Sequence, residues 1–235
     1  MVKTFDSPFP KENRLNLIIP GVTTKFTQRT DRQFQKIAQI CAGITNNVPG
    51  NSAIFFPSYA LRDKVNTYFT IESSKSQLVE QSGMSSQEKE EILEKLEGYK
   101  ESGIVLLGAS SGNFGEGVDF PGDLLKCVIV VGLPLTSPDL ETRETIEYYD
   151  RKFGKGWNYG YVFPAFNKTL QNAGRCIRSE TDKGAVVFLD QRYTLPQYFS
   201  CFPDDISIKI TRDYEKEIIS FFNGGLQQKL VEEDI

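Results

Sequence analysis

GIVLLGASSGNFGEGVDFPGDLLKCVIVVG, residues 103–132, places a glycine-rich and acidic loop between two short apolar segments. The flanking segments are apolar throughout rather than at alternate positions, which is typical of parallel strands buried on both faces. Within the loop, residues 112–123 hold four glycines and three acidic residues. So many glycines let a backbone approach a phosphate or a base closely. The stretch therefore predicts a functional loop that leaves the carboxyl end of a buried strand.

Apolar segments of the same kind recur along the 235 residues and alternate with stretches of helical periodicity. The predicted strands are residues 15–19, 52–57, 103–108, 127–132 and 184–190. The predicted helices are residues 34–44, 85–99, 139–152, 164–178 and 213–223. Strands that alternate with helices imply right-handed crossovers. The chain is therefore predicted to be a single α/β domain with a mainly parallel sheet.

The second predicted helix has its own start signal. Ser85 and Glu88 have the spacing of a capping box. In this motif the serine side chain accepts a hydrogen bond from the glutamate N–H, and the glutamate side chain accepts one from the serine N–H. The buried stripe of this helix is predicted to consist of Ile92, Leu93, Leu96 and Tyr99.

The composition excludes several kinds of site. The chain has no histidine, which rules out a Ser-His-Asp triad and a histidine-ligated zinc ion. Its four cysteines are scattered singly, so they are predicted to be reduced core residues. No apolar run approaches the roughly 20 residues that span a bilayer, so no membrane partner is expected. A net charge of −4 argues against coating nucleic acid by bulk electrostatics and leaves room for a local groove.

A second polar stretch lies at residues 170–192. Gln171, Arg175 and Arg178 are spaced so that they would share one face of a helix, and Gly174 would permit close approach by another backbone. Two guanidiniums held on one face suit the oxygens of a transferring phosphoryl group. The alternative is an ordinary solvated helix face.

The acids of the glycine-rich loop also have a structural alternative. Glu116 and Asp119 could cap the loop or pair with a nearby arginine. Their spacing also resembles a hydrolase pair or a Ca²⁺ site, but too few oxygen ligands are suitably spaced for calcium and no general acid partner is evident.

Residues 150–163 interleave cations with aromatic rings. Arg151, Lys152 and Lys155 alternate there with aromatic residues that include Trp157. Such a pattern suits stacking on a single strand, and it equally suits a loop whose rings cover the core.

Taken together, these segments resemble the second motor domain of the XPD family of superfamily 2 DNA helicases, with the DinG group as near relatives. Residues 53–59, 112–135 and 171–193 are similar to the family's motifs IV, V and VI, in that order, and residues 7–26 resemble the stretch that follows the first motor domain. The resemblance covers nearly the whole chain. It implies a RecA-like domain at residues 1–235, with helices on both sides of the sheet, in an ATP-dependent 5′–3′ helicase that unwinds DNA in repair, including nucleotide excision repair.

The resemblance also assigns roles to individual residues. The motif VI positions that face the nucleotide, with the two arginines as fingers on the γ-phosphate, are Gln171, Arg175 and Arg178. The motif V positions that couple the nucleotide to DNA are Gly117 and Asp119, with Glu116 beside them. The DNA-facing positions of motifs IV and V are Ser58, Tyr59, Gly112 and Asn113. The pair that would brace motif VI is Asp190 and Arg192.

The resemblance further implies that ATP and Mg²⁺ bind between this domain and a first motor domain. That domain would carry the Walker-type lysine, the Mg²⁺-binding acids and an iron–sulfur cluster, so the chain alone is expected to be inactive. The implied partners are the first motor domain, single-stranded DNA, ATP and proteins of a repair or transcription complex. The alternatives are a DinG-like damage-response helicase and a non-catalytic module that binds DNA or protein.

Three further expectations concern location and variable segments. Residues 60–102 contain no helicase motif and are expected to be a variable helical segment. Residues 231–235 are expected to be a flexible tail. The compartment expected is the cytoplasm of a prokaryote, or the nucleus if the parent is eukaryotic.

Overall fold

The computed structural model of the chain describes residues 9–135, 138–177 and 179–232, with side-chain environments to residue 224. In this part of the chain seven strands form one sheet in the order β3-β4-β2-β5-β6-β1-β7. The strands are β1 (Arg14–Ile18), β2 (Ser52–Phe56), β3 (Gln77–Val79), β4 (Val105–Ala109), β5 (Cys127–Val131), β6 (Gly184–Leu189) and β7 (Lys209–Ile210). Every described pairing is parallel, which confirms the predicted α/β class with a mainly parallel sheet.

Helices cover both faces of this sheet. They are α1 (Asp31–Thr45), α2 (Tyr59–Glu72), α3 (Ser86–Gly98), α4 (Leu140–Phe153), α5 (Phe163–Ala173), α6 (Pro196–Phe199) and α7 (Tyr214–Glu232). One core lies between the sheet and α1, α2 and α7, and the other lies between the sheet and α3 and α5. The central strands β2, β4, β5 and β6 are buried at every position, because both of their faces are covered.

The five predicted strands are confirmed to within one or two residues at each end. The strands β3 and β7 were not predicted, since runs of three and two residues are too short to show a period. As β3 lies within residues 60–102, that segment is not only helical: it adds an edge strand to the sheet.

Two helix predictions need correction. The capping box of Ser85 and Glu88 is present, but Tyr99 lies beyond the end of α3 and is exposed, so the buried stripe stops at Leu96. The helix predicted at 164–178 ends at Ala173 and continues as a 3₁₀ turn, Gly174–Cys176, followed by extended backbone at Ile177.

Three cysteines are buried and free, and Cys201 is only half-buried. Every helix in the described residues is too short or too polar to cross a lipid bilayer. Residues 233–235 of the expected tail lie outside the described residues, and residues 231–232 belong to α7.

Candidate functional site

The loops that carry the predicted site begin along one edge of the sheet. Because the strands are parallel, their carboxyl ends point the same way. The loop after β4 is joined to β2 by a hydrogen bond from Ser110 N to Phe56 O (2.7 Å). The loop after β6 is joined to the one after β1 by a hydrogen bond from Gln191 N to Val22 O (2.8 Å). This edge therefore carries the loops after four strands, joined in two pairs: β2 with β4, and β1 with β6.

A buried carboxylate holds the start of the glycine-rich loop. Glu80 follows the edge strand β3 and its side chain is 0% exposed. Its carboxylate accepts hydrogen bonds from Ala109 N (2.9 Å), Phe114 N (3.3 Å) and Tyr59 Oη (3.0 Å). One side chain thus ties the motif IV helix α2 to the motif V loop.

Sequence reasoning missed Glu80. It lies in the segment 60–102 that carried no motif, at the end of a strand too short to predict. The one available signal was an acidic residue directly after the apolar pair Leu78-Val79.

A side chain at position 112 would displace these neighbours. A Cβ there would lie 2.5 Å from Glu80 Oε1 and 2.6 Å from Tyr59 Oη, closer than real Cβ contacts. Next to it, Asn113 donates from Nδ2 to Gln81 O (2.9 Å). Gly112 and Asn113 therefore lie against the end of β3, with part of their surface exposed to solvent.

Ser58 and Tyr59 lie at the start of α2, beside this cluster. Ser58 caps the helix, because its Oγ accepts a hydrogen bond from Leu61 N. The Arg62 guanidinium lies 4.9 Å from the centre of the Tyr59 ring. Burial, and after it the charge of Glu80, raise the pKa of Tyr59 to about 12, so the phenol keeps its proton and donates it to Glu80.

The far end of the glycine-rich loop is held by Arg175. Its side chain is 7% exposed and donates from Nη2 to Gly115 O (2.6 Å) and from Nη1 to Val118 O. The guanidinium also lies 5.6 Å from the centre of the Phe120 ring. Burial lowers the pKa of Arg175, and the nearby Glu116 carboxylate opposes that shift. The loop backbone and this arginine are therefore one packed unit.

An open depression of about 380 Å³ lies where this unit meets the end of α5. It is lined by Gly117, Val118, Asp119, Gln171, Gly174 and Arg175. Gly117 has a left-handed backbone conformation (φ +84°), which residues other than glycine rarely adopt. Glu116 lies beside the depression and forms an ion pair with Lys168 (3.0 Å).

The structure thus brings Gln171 and Arg175 together with the glycine-rich loop, but not on one helix face. Gln171 is an exposed residue in the last turn of α5, whereas Arg175 lies in the following 3₁₀ turn and points into the loop. Arg178 lies outside the described residues. No described atom lies within 4 Å of a Cβ built on Gly174, so the space beside that glycine is open.

Asp190 and Arg192 are paired at the end of β6. Arg192 donates to the Asp190 carboxylate from Nε (2.9 Å) and Nη2 (2.8 Å). Their further described hydrogen bonds go to Thr23 and Thr24 in the loop after β1. These bonds connect the end of β6 to the loop after the neighbouring strand β1, and the bracing of motif VI by this pair stays a prediction.

The aromatic and basic stretch 150–163 forms a surface cluster. Its rings pack on one another around Tyr149 and Tyr159, and Trp157 is half exposed against Tyr161. Arg151 is exposed, and its Nη1 lies 3.7 Å from Glu147 Oε1. Among the described residues no group of three or more acidic or cysteine side chains is arranged to hold a metal ion.

A protein-family model described as "Helicase C-terminal domain" matches residues 41–208. A probable ATP-dependent helicase of Methanocaldococcus jannaschii is 33% identical over 206 residues, which covers 80% of this chain and 30% of the relative. The ATP-dependent DNA helicase DinG of Photobacterium profundum is 29% identical over 85% of this chain and 28% of its own length. The XPD helicase subunit of general transcription and DNA repair factor IIH from Dictyostelium discoideum is 26% identical, over 84% of this chain and 29% of its own length.

Solved structures show the same fold. An XPD helicase structure superimposes with a TM-score of 0.65 at 21% identity, over 84% of this chain and 35% of that one. The C-terminal domain of the DEAD-box protein Dbp5 superimposes with a TM-score of 0.55 at 14% identity, over 89% of this chain and 98% of that domain. The chain spans 28 to 30% of the length of the three curated relatives.

Proposed function

The chain belongs to the helicase C-terminal domain family, and from that premise we propose that it is the second motor domain of an ATP-dependent 5′–3′ DNA helicase of the XPD and DinG type. One observation carries the proposal. A single glycine-rich loop reaches from Glu80 and Tyr59 at one end to Arg175 at the other. A loop fixed at both ends can transmit a change at a nucleotide to a DNA strand.

The nucleotide is proposed to bind at the end marked by Arg175. ATP would lie in the cleft between this domain and a first motor domain, with Gln171, Arg175 and Arg178 facing the γ-phosphate. As the resemblance implies, the ligands of Mg²⁺ and of an iron–sulfur cluster would belong to the first motor domain. The depression offers an anionic group the guanidinium of Arg175 and the carboxamide of Gln171, beside two glycines and the Asp119 carboxylate.

Arg175 has to change partners to act on the nucleotide. Its Nη atoms are bonded to Gly115 O and Val118 O, and its buried Nε has no hydrogen-bond partner among the described residues. Closure of the cleft would exchange these neutral carbonyls for phosphate oxygens, which form stronger charge-assisted hydrogen bonds. The released carbonyls would then free the loop to move.

The DNA strand is proposed to bind at the other end of the loop. Ser58, Tyr59, Gly112 and Asn113 lie there with part of their surface exposed. Gly112 lets the backbone approach a phosphate, while Glu80 holds the loop against β3. Glu116, Gly117 and Asp119 would connect the two ends.

The biological role is proposed to be DNA repair, in an XPD-like pathway such as nucleotide excision repair or a DinG-like damage response. Partner proteins of a repair or transcription complex would then join the first motor domain and DNA as ligands of the whole enzyme. A non-catalytic module is the weaker candidate, because it leaves the loop between Arg175 and Tyr59 without a purpose.

The proposal is tested by ATP hydrolysis. The chain, mixed with the separately purified first motor domain, should hydrolyse ATP only when both are present, and faster with single-stranded DNA. In the full-length enzyme, Arg175→Lys and Arg178→Ala should each lower kcat by about 10³- to 10⁵-fold, as loss of an arginine finger does. Arg212→Ala is the matched control, because Arg212 is exposed and lies outside the three helicase-like motifs.

Unfolding in urea separates a catalytic loss from a structural one. Arg178→Ala should leave the fold intact. Arg175→Lys keeps the charge but loses the paired bonds to Gly115 O and Val118 O, so it should lower the midpoint while the chain still unfolds cooperatively. Wild-type kcat in both variants would refute the proposed fingers. A folded, associated pair of domains without any turnover would favour the non-catalytic module.

A further inference from the structure

The loop between β1 and α1, residues 19–30, is built on a buried carboxylate. Asp190 is 0% exposed and accepts hydrogen bonds from Thr24 N (2.8 Å) and Thr23 Oγ1 (3.2 Å). Arg192 donates to the same carboxylate and also to Thr24 Oγ1 (2.8 Å). Buried charge pairs with several hydrogen bonds hold their surroundings in one geometry. The loop above them is therefore fixed in position.

This fixed loop presents an aromatic ring and a guanidinium to solvent. Phe26 begins a 3₁₀ turn and is 82% exposed. Arg29 donates from Nε to Thr24 O (2.9 Å), and its guanidinium lies 5.6 Å from the centre of the Phe26 ring. A lone exposed apolar residue needs no explanation. Here, however, the exposed ring and the cation are held by the network that Asp190 organises.

A hollow of about 620 Å³ opens beside Phe26 and Arg29. Lys64 of α2 lines its other side, with Nζ 5.6 Å from the centre of the Phe34 ring, and Asp31 contributes one carboxylate. Among the described residues neither Arg29 nor Lys64 has an ion pair within 4.0 Å. The hollow thus offers two cations, two aromatic rings and a single acid.

The charges around the hollow favour an anion. Burial lowers the pKa of Arg29, and the positive charge of Arg192 lowers it further. An anion placed beside Arg29 would relieve this repulsion between the two guanidiniums. A cation-lined hollow with an exposed ring is the combination with which proteins hold a nucleotide, by phosphate contact and base stacking.

The hollow also adjoins the proposed strand-binding surface. Ala60 and Leu61, which line it, directly follow Ser58 and Tyr59 at the start of α2. The hollow and the proposed strand-binding surface therefore share the first turn of α2.

We propose that the hollow between Phe26, Arg29 and Lys64 binds one nucleotide of single-stranded DNA, with its base against Phe26 and its phosphate between the two cations. The inference rests on the proposed function and extends its strand-binding surface beyond motifs IV and V. The loop after β1 then acts as a rigid contact beside the movable glycine-rich loop.

The test is binding of fluorescein-labelled oligo(dT) to the 235-residue chain, followed by anisotropy over a range of salt concentrations. Phe26→Ala should weaken binding by about tenfold, the scale of one lost base stack, without changing the salt dependence. Phe26→Trp should retain the affinity. Arg29→Gln and Lys64→Gln should each reduce the slope of log K against log salt by about 0.7, as expected for one lost phosphate contact on a single strand.

Matched controls and a direct contact probe separate the outcomes. Ile71→Ala, an exposed apolar residue at the far end of α2, and Lys95→Gln, an exposed lysine on α3, should leave binding unchanged. An oligonucleotide with 5-iododeoxyuridine should cross-link to the peptide that contains Phe26. Inorganic phosphate at millimolar concentration should compete weakly, since it lacks the base.

Several results would overturn the inference. Wild-type affinity and slope in Phe26→Ala and Arg29→Gln, together with weaker binding by Asn113→Ala, would reject this hollow and leave the proposed function standing. A chain that binds no oligo(dT) at all would reject both. Equal competition by phosphate and by oligo(dT) would show a plain anion site instead of a nucleotide site.

Discussion

Two loops rise from the carboxyl edge of the sheet, and both are anchored by a fully buried carboxylate. Asp190 holds the loop after β1, and Glu80 holds the glycine-rich loop after β4. They differ in how completely their polar atoms are paired. Among the described residues, 19–30 contain no buried side-chain polar atom without a partner. The glycine-rich loop and the segment facing it contain three: Ser110 Oγ, Asn172 Oδ1 and Arg175 Nε.

This difference separates a rigid contact from a movable one. A buried polar atom without a partner costs about 1–3 kcal/mol, so its neighbourhood gains from any rearrangement that supplies one. The loop after β1 has little to gain, because its groups are already bonded. We therefore expect the glycine-rich loop to change shape when nucleotide and DNA bind, while the loop after β1 keeps its form.

The largest expected effect on the free energy of unfolding comes from removing the charge of Asp190, which supports the loop after β1. Asp190→Asn removes the buried charge that pairs with the partly buried Arg192 and should lower the free energy of unfolding by about 3–5 kcal/mol. Urea denaturation of the chain measures it, with Asp204→Asn at an exposed position as the control. A loss below about 1 kcal/mol would mean that this loop is not held by the pair.

Glu80→Gln should have a smaller effect on the other anchor. The Glu80 carboxylate accepts from neutral donors, so no unpaired charge remains after the change. The carboxamide has a single acceptor oxygen and must leave at least one of these donors unsatisfied. We expect a loss of about 1–3 kcal/mol in the free energy of unfolding. Glu94→Gln on the exposed face of α3 is the control, and equal stabilities would show that Glu80 does not anchor the loop.

A matched pair of hydroxyl deletions compares the two loops directly. Thr24→Val removes a hydroxyl that is bonded to Arg192 (2.8 Å) and should destabilise the chain by about 1–2 kcal/mol. Ser110→Ala removes a hydroxyl without a described partner, and with it the cost of burying that hydroxyl, so it should stabilise the chain by about 1–3 kcal/mol. Both are measured by urea denaturation. Similar losses in the two variants would remove the distinction between the loops.

The smallest expected effect on the free energy of unfolding comes from Asp123, at the end of the glycine-rich loop. Hydrogen bonds from Lys100 (2.6 Å) and Lys126 (2.9 Å) lower the pKa of Asp123 to about 2. A lowered pKa in the folded chain stabilises it above the ordinary Asp pKa, and this contribution is lost as pH falls toward 2. Because the Asp123 side chain is 41% exposed, we expect less than about 1 kcal/mol.

The difference in unfolding free energy between wild type and Asp123→Asn should be present at pH 6 and vanish near pH 2. It should also shrink in 1 M salt, which screens exposed ion pairs. A difference that does not depend on pH would show that the carboxylate charge contributes nothing.

How far the sequence could be interpreted depended on the length of each pattern. The strands β2, β4, β5 and β6 are five or six residues long and apolar throughout, so their positions could be predicted to within two residues. The strands β3 and β7 have three and two residues and left no recognisable period. Residue spacing alone also predicted that the helix extends past Ala173. Spacing cannot show that the Arg175 side chain bonds to the neighbouring loop and that the backbone there is a 3₁₀ turn.

The amino-acid sequence alone determined the parallel α/β class, the glycine-rich loop at a strand end and the residues that resemble helicase motifs, since these depend on local order along the chain. Only the tertiary structure showed that Glu80 joins Tyr59 to the glycine-rich loop, that Arg175 bonds to that loop's carbonyls, and that Asp190 supports the loop after β1. These contacts join residues 21 to 167 positions apart. Sequence spacing carries no information on such contacts, because the packing of the sheet and its helices decides which distant side chains meet.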